Sequence, residues 1–197
     1  MKIGTIVSSN SHIDYIARVT DSADAGEAPV DPSNYCFGQF VSLEGDGEDV
    51  IGVIYDSRLV NPEYGSFGPR SGPRGELARH TADYAQEKGI LIGILLLGTI
   101  DSSGKSVHGV PGKIVPVGRS VTKIDNSRVT RFHTAADGRV HLSYYPQVMS
   151  NARQFAIPLL DSIIGQLSTA AGDTDIQTLR VLKQSLIWQG TFGGLKL

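Results

Sequence analysis

Apolar and polar residues alternate through Lys2–Val7 and again through His12–Val19, which predicts two strands joined by the turn Ser8-Ser-Asn-Ser11. Thr20–Asn34 is acidic, with Ala, Gly and two Pro, and reads as a loop. A strand over Tyr35–Leu43, a solvated turn over Glu44–Asp49 and a long strand over Val50–Val60 follow. The longest apolar run, Ile90–Leu97, is rich in branched residues and closed by Gly98, as expected of a strand buried on both faces. Gly93 inside it predicts a bulge or sharp bend, a device that lets a sheet curl into a barrel. Lys113–Gly118 reads as a short strand that its proline confines to an edge or a bulge. Arg128–His133 and Arg139–Tyr145, on either side of Thr134-Ala-Ala-Asp-Gly138, predict a hairpin turned by the Asp-Gly pair.

From Gln147 the period lengthens. Met149, Ala152, Phe155, Ala156, Leu159, Leu160, Ile163, Ile164 and Leu167 recur at three and four residues, which predicts a helix with a wide apolar face. Pro158 should kink that helix or start a new turn. Thr174-Asp-Ile-Gln177 has the form of a capping box, opening a helix with Ile176, Leu179, Leu182, Leu186 and Ile187 on one side and Gly190 as its stop. The expected fold is mainly β with α: a small closed β-barrel over residues 1–145, with a helical insertion at Glu76–Lys88, then a C-terminal helical hairpin over 146–197.

Charge modifies this picture only in part. Residues 1–65 hold eleven acidic against three basic side chains, and residues 66–153 twelve basic against six acidic. The split could steer one copy toward another, or the two parts could neutralise each other inside one barrel. A single cysteine, Cys36, rules out an internal disulfide, and neither a signal peptide nor a membrane span is recognisable, so a cytoplasmic location is expected.

Three stretches, Ile3–Val19, Tyr35–Pro62 and Ile90–Gly118, together resemble the HAS-barrel domain. That domain is the N-terminal β-barrel of HerA-type DNA-translocating ATPases and is similar to the N-terminal barrel of F-type ATP synthase subunits. The resemblance lies in the opening G-x-[IV]-V-S strand, a G-x-[FY]-V strand followed by [IV]-x-G-x-[IV], and a late P-G-x-x-V element at Pro111, Gly112 and Val115. It covers roughly the first 125 residues. In that family the barrel does no chemistry, packs beside a RecA-like ATPase and helps form a hexameric ring. Here a helical tail stands in place of the ATPase. The resemblance therefore implies a non-enzymatic assembly or docking module, self-associating or bound to a separately encoded HerA-type ATPase, and no ATP-driven activity.

Candidate chemistry is sparse, and no catalytic, cofactor-binding or metal-binding residue is expected. Gly98–Ser106 imitates a phosphate-binding loop, but it has one residue too many before Gly104-Lys105, and Val107–Gly112 after it cannot form the required helix. His12, His80, His108, His133 and His141 show no metal-ligand spacing, although His133 and His141 are placed to face each other across the predicted hairpin. Arg70 and Arg74 sit in two Gly-Pro-Arg triplets of a Gly- and Pro-rich loop, where they could contact phosphate or a neighbouring subunit's carboxylates, or be incidental. Arg128, Arg131 and Arg139, interleaved with Phe132, Tyr144 and Tyr145, make nucleic-acid binding the alternative function.

Overall fold

The computed structural model describes residues 1–21, 28–45, 47–60, 89–135, 137–169 and 173–192. At its centre runs β5 (Gly89–Asp101), built from the long apolar stretch. Ile92, Ile94, Leu95, Leu96 and Leu97 are all fully buried, as a strand covered on both faces requires. One edge of β5 pairs with β4 (Glu48–Val60) over its whole length. The other edge is divided: β2 (Asp14–Val19) takes Leu91–Leu95, and β6 (Ser106–His108) takes Gly98–Ile100.

With β1 (Lys2–Ser9), β3 (Phe40–Glu44) and β7 (Ser120–Lys123), the pairs run β2–β1–β7–β3–β4–β5, every one antiparallel. Pairing of β2 with β5 then closes a six-stranded barrel, to which β6 is added outside the ring. Closure thus pairs the two end strands of the sheet with each other. The expected bulge is present, and its geometry is specific. Register slips between Ile54 and Asp56, so that the extra residue is Tyr55 on β4, opposite Gly93. A Cβ on Gly93 would lie 3.1 Å from Cβ of Asp56 and 3.2 Å from Cε1 of Tyr55. The glycine makes room for the displaced tyrosine.

Four predicted elements are corrected. Tyr35–Gln39 is not strand: a 3₁₀ turn at Pro32–Asn34, capped by Asp31, leads into a turn, and β3 starts only at Phe40. Lys113–Gly118 joins no ladder, since Pro116 has no N–H to give and Val117–Gly118 turn the chain, with Gly118 at φ 88°. Arg128–His133 is not a hairpin arm but part of α1 (Asn126–His133). Its N-cap is Asp125, whose carboxylate accepts from the Arg128 N–H at 2.8 Å. Arg139–Tyr145 is likewise not a strand, and a single bridge, Thr134 to Val140, is all that remains of the hairpin. The Glu76–Lys88 helix and the Arg70/Arg74 loop lie outside the described residues.

The helical C-terminus is present, with different joints. The chain breaks between α2 (Tyr145–Asn151) and α3 (Ala156–Ser168) at Arg153, which takes φ 51°, and Pro158 falls in the first turn of α3, where a missing N–H costs little. α4 (Asp173–Phe192) continues through Gly190 rather than stopping there. α3 and α4 form the hairpin, with Lys183 Nζ 2.9 Å from Asp161 Oδ1. Leu159, Leu160, Ile163, Ile164, Leu179 and Leu186 join the barrel residues in one continuous apolar core. Among the described residues no helix is long and apolar enough to cross a membrane.

Candidate functional site

The segment that leaves β6 and returns to β7 carries an unusual surface. Val107, Val110, Ile114 and Val117 are 56–72 % exposed, four branched apolar side chains within eleven positions. Their backbone is tied down. His12 Nε2 donates to the Pro111 carbonyl at 2.7 Å, the Val115 N–H donates to the Tyr15 hydroxyl at 3.1 Å, and the Gly118 N–H donates to the Ile6 carbonyl at 2.9 Å. Pro111 and Val115 are buried between these anchors. The segment therefore exposes four valine and isoleucine side chains on a backbone tied to the barrel wall.

Behind β6 lies a closed cluster of rings. His108 and His141 stack with centroids 4.0 Å apart and planes 9° from parallel. His108 Nδ1 accepts from the Ser143 N–H at 3.2 Å, so its Nε2 carries the proton and donates to the Phe132 carbonyl at 2.9 Å. His133 is fully buried. Its Nδ1 donates to the Val129 carbonyl at 2.7 Å, and its Nε2 accepts from the Tyr144 hydroxyl at 2.6 Å. Burial pushes the His108 imidazole down to about 4 and the His133 imidazole down to about 3, and burial raises the Tyr144 phenol. Both histidines are neutral at neutral pH, with every ring nitrogen engaged.

His133 and His141 do meet, but not as a ligand pair: the His133 carbonyl accepts from both the backbone N–H and the Nδ1 of His141 at 2.9 Å. Among the described residues no three His, Cys, Asp or Glu side chains group so as to hold a metal ion. The phosphate-loop imitation is equally occupied. Asp101 Oδ1 accepts from the N–H groups of Ser103 and Lys105, both at 2.9 Å, and from the Ser103 hydroxyl at 2.6 Å. A carboxylate thus fills the loop, which leads into β6 and not into a helix.

The arginines do not share one ribbon. Arg128 and Arg131 belong to α1, and Arg139 lies beyond the Asp137–Gly138 turn. Arg128 Nη2 is 2.6 Å from Asp49 Oδ2, while Arg131 and Arg139 are exposed. Arg70 and Arg74 lie outside the described residues. The apolar strip escaped the sequence reading, although four branched residues amid Gly, Pro and Lys, at three- and four-residue spacing, were its available signal.

One family model matches residues 1–196, nearly the whole chain; its description is domain of unknown function (DUF8166). No curated protein matches the sequence.

Proposed function

For a chain that belongs to this DUF8166 family of unknown function, we propose a non-enzymatic assembly role of the HAS-barrel kind. The barrel self-associates or docks on a separately encoded HerA-type DNA-translocating ATPase. One observation carries the reading: the exposed strip Val107, Val110, Ile114 and Val117, on a backbone pinned by His12, Tyr15 and Ile6. An apolar surface held rigid loses little conformational freedom on binding, which favours association. The strip contains the P-G-x-x-V element of the resemblance, and in this chain the element's Pro111 and Val115 are the buried anchors of that surface. Among the described residues every buried side-chain nitrogen and oxygen has a hydrogen-bond partner.

Light scattering behind size-exclusion, with affinity capture of a HerA-type ATPase, tests it. The wild-type chain should run as an oligomer and retain the ATPase, and Ile114→Asp with Val117→Asp should lower the mass of a still folded protein. A wild-type monomer that captures no ATPase would remove the proposal. The exposed Arg131 and Arg139 favour a second reading, nucleic-acid binding. Its signature is a salt-dependent gel shift that disappears with Arg131→Ala and Arg139→Ala.

A further inference from the structure

On another part of the surface, the bulge in β4 shapes a small cleft. Tyr35, Phe37, Tyr55 and Phe155 line it together with Asp56, around a volume of about 130 Å³. Phe37 and Phe155 meet edge to face, centroids 6.0 Å apart and planes at 61°, so their two rings form walls at an angle. Phe37 remains 43 % exposed. Tyr55 is the extra residue of the bulge, set against Gly93. Four aromatic rings around an open space differ from a packed aromatic core, where the rings would close on each other.

The charges near these rings are mainly negative. The Tyr55 hydroxyl donates to Asp14 Oδ1 at 2.8 Å, and Asp14 is itself buried, with Asn10 Nδ2 donating to its other oxygen at 3.0 Å. A phenol that donates to a carboxylate has a more electron-rich ring, and an electron-rich face attracts cations more strongly. Asp56 lines the cleft directly. Its Oδ1 accepts from the Ser57 N–H at 2.8 Å, and its Oδ2 lies 3.8 Å from Arg58 Nε, too far for a hydrogen bond, with the Arg58 side chain 69 % exposed. The carboxylate keeps acceptor capacity and charge for a visitor. Arg153 places a positive charge near Tyr55 but does not line the cleft. Its φ of 51°, a conformation that costs a non-glycine residue energy, sits at the break that brings Phe155 into the wall.

Size narrows the ligand. Cofactor and drug-sized sites run to roughly 300–1,000 Å³, whereas an apolar cavity of about 150 Å³ accepts benzene. The cleft therefore takes a group of about six heavy atoms. We infer that this cleft binds a methylated ammonium group, the trimethylammonium of a small molecule or of a modified lysine side chain, between the faces of Tyr35, Phe37, Tyr55 and Phe155 with Asp56 as counter-ion.

Calorimetric titration of the full chain with choline, with a trimethyllysine peptide, and with the neutral analogue of choline in which carbon replaces nitrogen tests this. At least one of the two cations should bind. Replacing nitrogen by carbon should weaken binding about 3–30-fold, the share of a cation–π contact. Phe37→Ala, at a half-exposed position, should abolish binding with the circular dichroism spectrum unchanged. Asp56→Asn should weaken it several-fold and keeps the test decisive if the first variant misfolds. Silence from both cations would overturn the inference. So would equal binding of the neutral analogue, since that result would mean a merely apolar cleft. No partner protein enters the titration, so its failure leaves the assembly proposal standing, and the reverse also holds.

Discussion

His133 shows how a single buried polar residue can be both satisfied and fragile. Its ring is fully buried, and its two nitrogens depend on the Val129 carbonyl and the Tyr144 hydroxyl. Tyr144→Phe keeps the shape and removes only the O–H, leaving Nε2 with a desolvated lone pair. The expected cost is about 1–3 kcal/mol, read as a lower urea midpoint at unchanged slope. The same burial makes the fold acid-sensitive in a definite window. His108 and His133 have folded values of about 4 and about 3, both below the 6.5 of the free side chain. As pH falls, the unfolded chain therefore takes up protons first. The histidine contribution to stability is complete above about pH 6.5 and is lost as pH falls toward 4 and then 3. The slope is up to about 1.4 kcal/mol per pH unit for each histidine. Asp31, Asp101 and Asp125, held below the usual carboxylate value of 3.8 by neighbouring hydroxyl and N–H donors, act only lower on the scale. Urea midpoints measured from about pH 7.5 down to 4.5 should fall for the wild type and fall about half as steeply for His108→Gln. Parallel curves would show that His108 does not titrate as its burial requires.

At the scale of elements, α1 rests on its cap. Asp125 accepts from the Arg128 N–H and from the Ser127 hydroxyl, and in an eight-residue helix one cap is a large part of the local stability. Asp125→Ala should cost about 1 kcal/mol in chemical denaturation and Asp125→Asn much less, because the amide oxygen still caps. This helix also explains why a hairpin was the wrong expectation. Among Arg128–His133 the apolar residues are Val129 and Phe132, too few to fix a period, yet the three residues that become buried, Val129, Phe132 and His133, follow helical spacing. Alternation over six residues could not decide between the two, and the weight of Asp137-Gly138 tipped the reading toward a hairpin. Burial of His133 decides for the helix, and a sequence does not display the burial of a histidine. The Ile90–Leu97 strand was legible for the opposite reason: branched residues without interruption leave no polar face, so only a doubly covered strand fits. Gly93 was legible as a bulge marker, though not as a seat for Tyr55, since that needs the β4 register. Gly93→Ala should therefore strain the bulge, lowering stability by about 1–3 kcal/mol and weakening any ligand held against Tyr55. The ring cluster was illegible because His108 stands on β6, remote in sequence from the helix and loop that supply its partners.

For the whole molecule the proposed self-association poses the question of which force would bring copies together. The acidic and basic parts of the sequence could attract each other between molecules or within one, and cross-pairs within one chain include Arg128 with Asp49 at 2.6 Å and Lys113 with Glu48 at 3.7 Å. Both involve partly exposed side chains, so each contributes at most about 1 kcal/mol. Charge paired in this way within a protomer is unavailable to steer a second one. In the proposed assembly Val107, Val110, Ile114 and Val117 would supply the attraction. Electrostatic association weakens as added salt shortens the screening length from about 10 Å at 0.1 M to about 3 Å at 1 M, whereas burial of valine and isoleucine does not weaken. Mass by light scattering should therefore stay constant or rise from low to high salt, and should fall with Ile114→Asp at either. If the mass instead collapses at high salt and survives Ile114→Asp, the copies meet through their unequal charges, and the Val107–Val117 strip must face something other than a second copy of the chain.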